Sequence, residues 1–122
     1  MVRNCLLLLL LLAAPLCAQI KLDPPGQREF VLDHANLLDD NARNAIKATC
    51  NRVLTDKAIP IVVVTIESMA AHNGAGMSIE SFATALYNQW GVGHPTVHGQ
   101  PWNKGVLLVV SKGDRKARIE LG

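Results

Sequence analysis

The sequence predicts an α/β domain on a mixed sheet, and three patterns carry that prediction. Ile61 to Ile66 is a nearly unbroken β-branched run in which Thr65 is the only polar residue. Continuous apolarity of this kind marks a strand covered on both faces. Two segments flanking it repeat apolar residues at helical spacing. Near the end of the chain, Ala117, Ile119 and Leu121 alternate with Lys116, Arg118 and Glu120, the pattern of a half-exposed antiparallel strand.

The elements follow in order. Phe30-Val31-Leu32 is a short strand, and Asp33-His34-Ala35-Asn36 after it is rich in residues that favour turns. A helix starts at Asp39 or Asp40, either of which can cap it. Its stripe is Ala42, Ala45, Ile46, Thr49, Cys50, Val53 and Leu54. Pro60 opens the central strand. His72 to Gly76 reads as a loop, and Ser78 caps a second helix with Glu80 in its first turn. Ile79, Phe82, Ala83, Leu86 and Trp90 form its buried stripe, and Gly91 ends it. A long Gly-, Pro- and His-rich loop runs to Lys104. Val106 to Val110 is a second strand expected to be buried on both faces, and Gly113-Asp114 turns the chain into the last strand. The order is β-α-β-α-β-β. Two helices are few for a sheet with two faces to cover: either they divide the faces or, the favoured reading, a C-terminal helix of the domain lies beyond Gly122.

The first 18 residues have the parts of a secretory signal: Arg3, the apolar run from Leu6, a break at Pro15, and Ala18 before a cut ahead of Gln19. The run is short for a membrane span, which needs roughly 20 apolar residues. The chain is thus expected to be exported, to the periplasm, a lumen or the medium. Gln19 to Glu29, with Pro24-Pro25-Gly26, reads as an extended linker, and residues 30 to 122 as one small domain.

Removal of the leader takes Cys5 and Cys17 and leaves Cys50 alone, so no internal disulfide can form. The chain has 12 Lys and Arg against 10 Asp and Glu, and losing Arg3 leaves an excess of one. That balance, with few aromatic residues, gives no basis for nucleic-acid binding or for attraction to an anionic membrane.

Several motifs fall short of a site. His94 and His98 flank Pro95 in a loop without further ligands, where zinc needs three or four. Gly91-Val92-Gly93 lacks the third glycine of a dinucleotide loop. Cys50 lies on the helix stripe as a small core residue, and Asp56 stands where a cysteine-loop phosphatase needs arginine. His72 reads as a solvated loop residue. Trp90 belongs to the core, whereas Trp102 is a candidate exposed contact.

Four segments in register resemble the TPM domain, also called the TPM phosphatase-like domain. They are Phe30 to Leu38, Ile61 to Ile66, Ser78 to Gly93, and Asn103 to Gly122 with its Asp114-Arg115 turn. The resemblance covers essentially all of the mature chain and implies a three-layer α/β/α sandwich. Members usually continue past the position of Gly122 into a further helix, so this chain resembles a C-terminally truncated member. Some members are described as weak acid phosphatases and others as accessory or assembly factors of membrane complexes. Calcium binding is reported in places.

The resemblance draws attention to Asp33, Asn36, Asn103, Asp114 and Arg115. Ligands of open α/β sheets sit beyond the carboxyl ends of the parallel strands, where Asp33 and Asp114 are expected. Asp33, Asn36, Asn103 and Asp114 offer the oxygen ligands that Ca2+ or Mg2+ prefers. A metal-bound water there, with Arg115 on a phosphate oxygen, would suit phosphate-ester hydrolysis with Asp33 and Asp114 as catalytic acids. Each residue also has a structural reading. Asp33 and Asn36 can form an Asx turn, Asp114 a hairpin turn, Arg115 an edge charge, and Asn103 a plain loop residue. Two functions remain open: a metal-assisted acid phosphatase, or a non-catalytic accessory module for a membrane-associated complex. The absence of a self-evident nucleophile–base pair favours the module.

Overall fold

The computed structural model describes residues 19–93, 96–97, 100–101 and 104–122. The leader expected in residues 1–18 lies outside the described residues, as do Asn103, His94, His98 and Trp102.

The central run forms β2, Ile61–Ile66. It pairs in parallel with β1, Val31–Asp33, on one side. On the other side it pairs in parallel with β5, Val106–Ser111. The Lys112–Arg115 turn leads into β6, Lys116–Leu121, which runs antiparallel to β5. The four-stranded sheet has the order β1-β2-β5-β6. In the loop after the second helix, β3, Thr96–Val97, and β4, Gln100–Pro101, make a small separate hairpin.

Both helices are capped as their sequences require. α1, Asp40–Lys57, begins after Asp39, whose carboxylate accepts from the Ala42 amide at 2.7 Å. α2, Ile79–Trp90, begins after Ser78, whose hydroxyl accepts from Ser81 at 3.1 Å, and ends at Gly91 with φ 61°. A left-handed residue at that position closes a helix without a Cβ penalty.

Residues of β2 alternate between two cores. Val62, Val64 and Ile66 meet α2 through Phe82, Ala83 and Leu86, with Leu107 and Val109 of β5. Val63, with Phe30 and Val31, meets α1 through Cys50, Ile46 and Leu54. The helices therefore cover opposite faces, which gives the α/β/α layering. Both crossovers step the same way across the sheet. Two crossovers of one hand would place both helices on one face, so these two differ in hand.

The two faces are unequally covered. Val62 to Ile66 is buried throughout, as its composition requires. In β5 only alternate residues are buried: Leu107, Val109 and Ser111. The expectation of burial on both faces fails there because α1 reaches β1 and β2 but not β5. For the same reason only Cys50 of the α1 stripe is fully buried. An apolar concavity of about 400 Å3 remains beside α1, lined by Ile46, Thr49, Cys50, Ile61, Val63 and Leu108.

Residues 19–26 form no helix or strand and 27–29 make a turn, but the first part of the segment is no linker. Ile20 and Leu22 are buried in the α2 core. The Gln89 side-chain amide accepts from the Ile20 amide at 3.0 Å and donates to the Ile20 carbonyl at 2.8 Å. The Trp90 indole N–H donates to the Leu22 carbonyl at 3.1 Å. A helix side chain thus takes the part of a neighbouring strand, and alternate apolar residues of the strap fill the core beneath. Truncating Ile20 to alanine should cost about 2–4 kcal/mol of unfolding free energy, the usual range for a buried aliphatic residue. A denaturant midpoint unchanged from the parent would show that the strap is not part of the cooperative unit.

Candidate functional site at the carboxyl end of the sheet

β1 and β2 are adjacent parallel strands whose connections leave toward opposite faces. A crevice opens between the carboxyl ends of such a pair, and this is where α/β sheets hold ligands. Here Asp33 ends β1 and stands beside Thr65 of β2.

The Asp33 side chain is 2% exposed. Its Oδ1 accepts from the Thr65 hydroxyl at 2.6 Å and from the Leu37 amide at 2.9 Å. Its Oδ2 accepts from the Leu38 amide at 2.8 Å, and the Arg43 guanidinium stands 3.7 Å away. Thr65 is double-sided, since its oxygen also accepts from the Ala35 amide at 3.1 Å. The Asn36 amide donates to the Asp33 carbonyl at 3.2 Å, and Asn36 itself is left-handed with φ 52°, a conformation asparagine tolerates. The segment from Ala35 to Leu38 is thus wound around one carboxylate. Burial, the largest single influence, raises the Asp33 pKa. The donors from Thr65, Leu37 and Leu38, with the Arg43 charge, outweigh it and hold the carboxyl below its ordinary value.

Asp114 repeats the device two strands away. Its Oδ2 accepts from the Ser111 hydroxyl at 2.6 Å and from the Met69 amide at 2.8 Å. The Met69 amide lies at the start of the short 3-10 turn Ala70–His72. Around it, Lys112 donates to the Ile66 carbonyl at 2.9 Å and Gly113 to the Glu67 carbonyl at 2.7 Å. A Cβ on Gly113 would collide with that Glu67 carbonyl, so the close approach of the two loops requires glycine. The bonds from Ser111 and Met69 lower the Asp114 pKa.

The two acids belong to separate networks. Asp33 is in register with Thr65, and Thr65 with Val110, so β1 and β5 lie two strand spacings apart, roughly 10 Å. A calcium ion needs all its oxygens at about 2.3–2.6 Å. A cation at Asp33 would compete with the amide and hydroxyl donors that already occupy its oxygens. Among the described residues no three His, Cys, Asp or Glu side chains cluster for a metal. Asp33 and Asp114 thus lie in separate hydrogen-bond networks, and Asn103, the fourth candidate ligand, lies outside the described residues. Arg115 is an exposed turn residue with φ 55° whose amide donates to the Lys112 carbonyl at 3.2 Å. The arginine that reaches Asp33 is Arg43.

Thr65, Ser111 and Arg43 complete these networks without standing out as motifs. The available signal was polarity at the carboxyl end of a buried strand: Thr65 and Ser111 each interrupt or end an apolar run. Arg43 gave none beyond its place on the first turn of α1.

The TPM-domain family model matches residues 31–122. The chain belongs to the TPM-domain family. The fold agrees with two solved structures. One is the N-terminal domain of a protein from P. gingivalis, at 27% identity and TM-score 0.61, covering 78% of this chain and 54% of that one. The other is the N-terminal domain of cg2496 from Corynebacterium glutamicum, at 16% identity and TM-score 0.60, covering 85% and 60%. This TPM domain thus spans little more than half the length of the structures it matches. No curated protein sequence matches it.

Two outcomes follow from the carboxylate networks. Asp33→Ala should lose on the order of 2 kcal/mol, because it removes the charged acceptor of the Leu37 and Leu38 amides and the Thr65 hydroxyl; a urea titration with an unshifted midpoint would contradict the network. Both carboxyls titrate below their unfolded value of about 4, so their stabilisation is complete above that pH and lost as pH falls through the folded values. The double variant Asp33→Asn, Asp114→Asn should be weaker at pH 6 and flatter on the acid side than the parent. Parallel acid limbs for the two proteins would refute the assignment.

Proposed function

We propose that this TPM domain is an exported, non-catalytic accessory module that works by holding partners in a membrane-associated complex. The observation that carries this reading is the occupied state of its two acids. The crevice between β1 and β2 is closed by the Asp33–Thr65 hydrogen bond and the Ala35–Leu38 loop. An acid committed to three donors is a poor base and a poor ligand, since accepting a proton or a metal would break bonds that order the loop.

The alternative, metal-assisted hydrolysis of phosphate esters with Asp33 and Asp114 as catalytic acids, asks the two networks to act on one substrate across roughly two strand spacings. Arg115 would then supply the phosphate contact from a turn that also belongs to the Asp114 network. Export is supported by the leader pattern of Arg3 to Ala18.

Two measurements separate the readings. With a chromogenic phosphate ester and magnesium or calcium, the module reading predicts release no faster than buffer. Turnover that disappears in both Asp33→Asn and Asp114→Asn would establish the hydrolase instead. In native electrophoresis of gently solubilised membranes, the protein should migrate within an assembly much heavier than itself. Migration only as the free chain would contradict the accessory role.

A further inference from the structure

Among the described residues, β6 is the last strand on its side of the sheet. The Gly122 amide donates to the Gly105 carbonyl at 3.1 Å. In an antiparallel ladder hydrogen-bonded pairs alternate with non-bonded ones. Gly105–Gly122, Leu107–Glu120 and Val109–Arg118 are therefore the bonded pairs of the β5–β6 register. The backbone groups of Ala117, Ile119 and Leu121 turn outward, away from β5.

The side chains of those same three residues lie on the face that α1 leaves bare. Ile119 is in register with Leu108 and Leu121 with Val106. Ile119 is 58% and Leu121 64% exposed, two of the three large exposed hydrophobic residues of the described chain. Charged side chains protect an edge strand when an incoming strand would meet like charge. The opposite face of β6 instead carries both signs: the Arg118 Nε stands 3.5 Å from Glu120 Oε2.

We propose that β6 is a self-pairing edge, through which two copies of this chain join antiparallel about a two-fold axis at Ile119 to form one eight-stranded sheet. Charge complementarity selects the second copy and the register. The outward groups of Ala117, Ile119 and Leu121 must pair among themselves, so only a few antiparallel registers are open. Centring on Arg118 pairs Lys116 with Glu120 on either side but sets arginine against arginine between them. Centring on Glu120 sets glutamate against glutamate. Centring on Ala117 sets Arg118 against Lys116, and centring on Leu121 forms no charge pair. Centring on Ile119 places Arg118 opposite the Glu120 of the other copy, and the reverse, in the closer non-bonded pairs of the new ladder. On the bare face it sets Ile119 against Ile119 and Ala117 against Leu121. The interface is isologous, as a closed dimer requires.

The test is light scattering of the purified protein from about 1 µM to about 1 mM, a range that brackets weak to moderate affinities. The mass should rise to that of two copies. Arg118→Glu alone and Glu120→Arg alone each put like charges at both crossing points and should weaken association at least about tenfold. The double exchange restores opposite charges and should return the affinity to near the parent value. A parent that stays monomeric, single reversals that dimerise unchanged, or a double exchange that fails to recover would each overturn the proposal. Should the reversals unfold the domain, hydrogen exchange of the parent decides the matter. The Ile119 amide should be protected at high protein concentration and lose that protection on dilution. Exchange independent of concentration would overturn self-pairing.

Discussion

The carboxylate of Asp33 is the interaction on which the functional end of this domain depends. It is buried, charged, and met by three donors from two directions. Without it the amides of Leu37 and Leu38 would lose their acceptor, and the chain between β1 and α1 would lose what holds its path. The same carboxylate fixes Thr65 at the end of β2, so strand and loop are ordered together. Asp114 applies the same physics to the next pair of loops, drawing the Met69 amide and the Ser111 hydroxyl onto one oxygen. A sheet that must end in tight loops at its carboxyl edge is closed by two local charges.

The rest of the architecture follows from the burial of β2 on both faces. Its alternate residues feed two cores, one beneath α2 and one beneath α1. The α2 core is completed by Ile20 and Leu22 of the N-terminal strap. The α1 core is not completed over β5 and β6, and the exposed Ile119 and Leu121 with the concavity beside Cys50 are the result. Contiguous bare apolar surface of this kind is where association takes place. The occupied acids at one end of the sheet and, among the described residues, the open apolar face on one side are the two features that set this domain's surface apart.

Much of this was legible in the residues. The composition of Ile61 to Ile66 requires a doubly buried strand, and Asp39, Ser78 and Gly91 cap the helices where their side chains and backbone freedom allow. Val106 to Val110 misled because composition reports apolarity, not coverage; whether a helix lies over a strand is decided by where the crossover lands. Gln19 to Leu22 misled because Pro24-Pro25-Gly26 dominates the local signal, whereas the alternation of Ile20 and Leu22 is only two residues long. Asp33 and Asp114 stood out as acids at strand ends, but beside the Thr65 and Ser111 hydroxyls their partners are backbone amides, which every residue has and no sequence pattern displays.

The account rests on the claim that these acids are acceptors for the chain's own donors and not ligands for a cation. Amide resonances of Leu37, Leu38 and Met69 report on it directly, since each N–H points at one of the two carboxylates. During a calcium titration into the millimolar range, all three should keep their chemical shifts and their slow exchange with solvent. Saturable shifts at these amides, with faster exchange as their acceptors are taken by the ion, would contradict it.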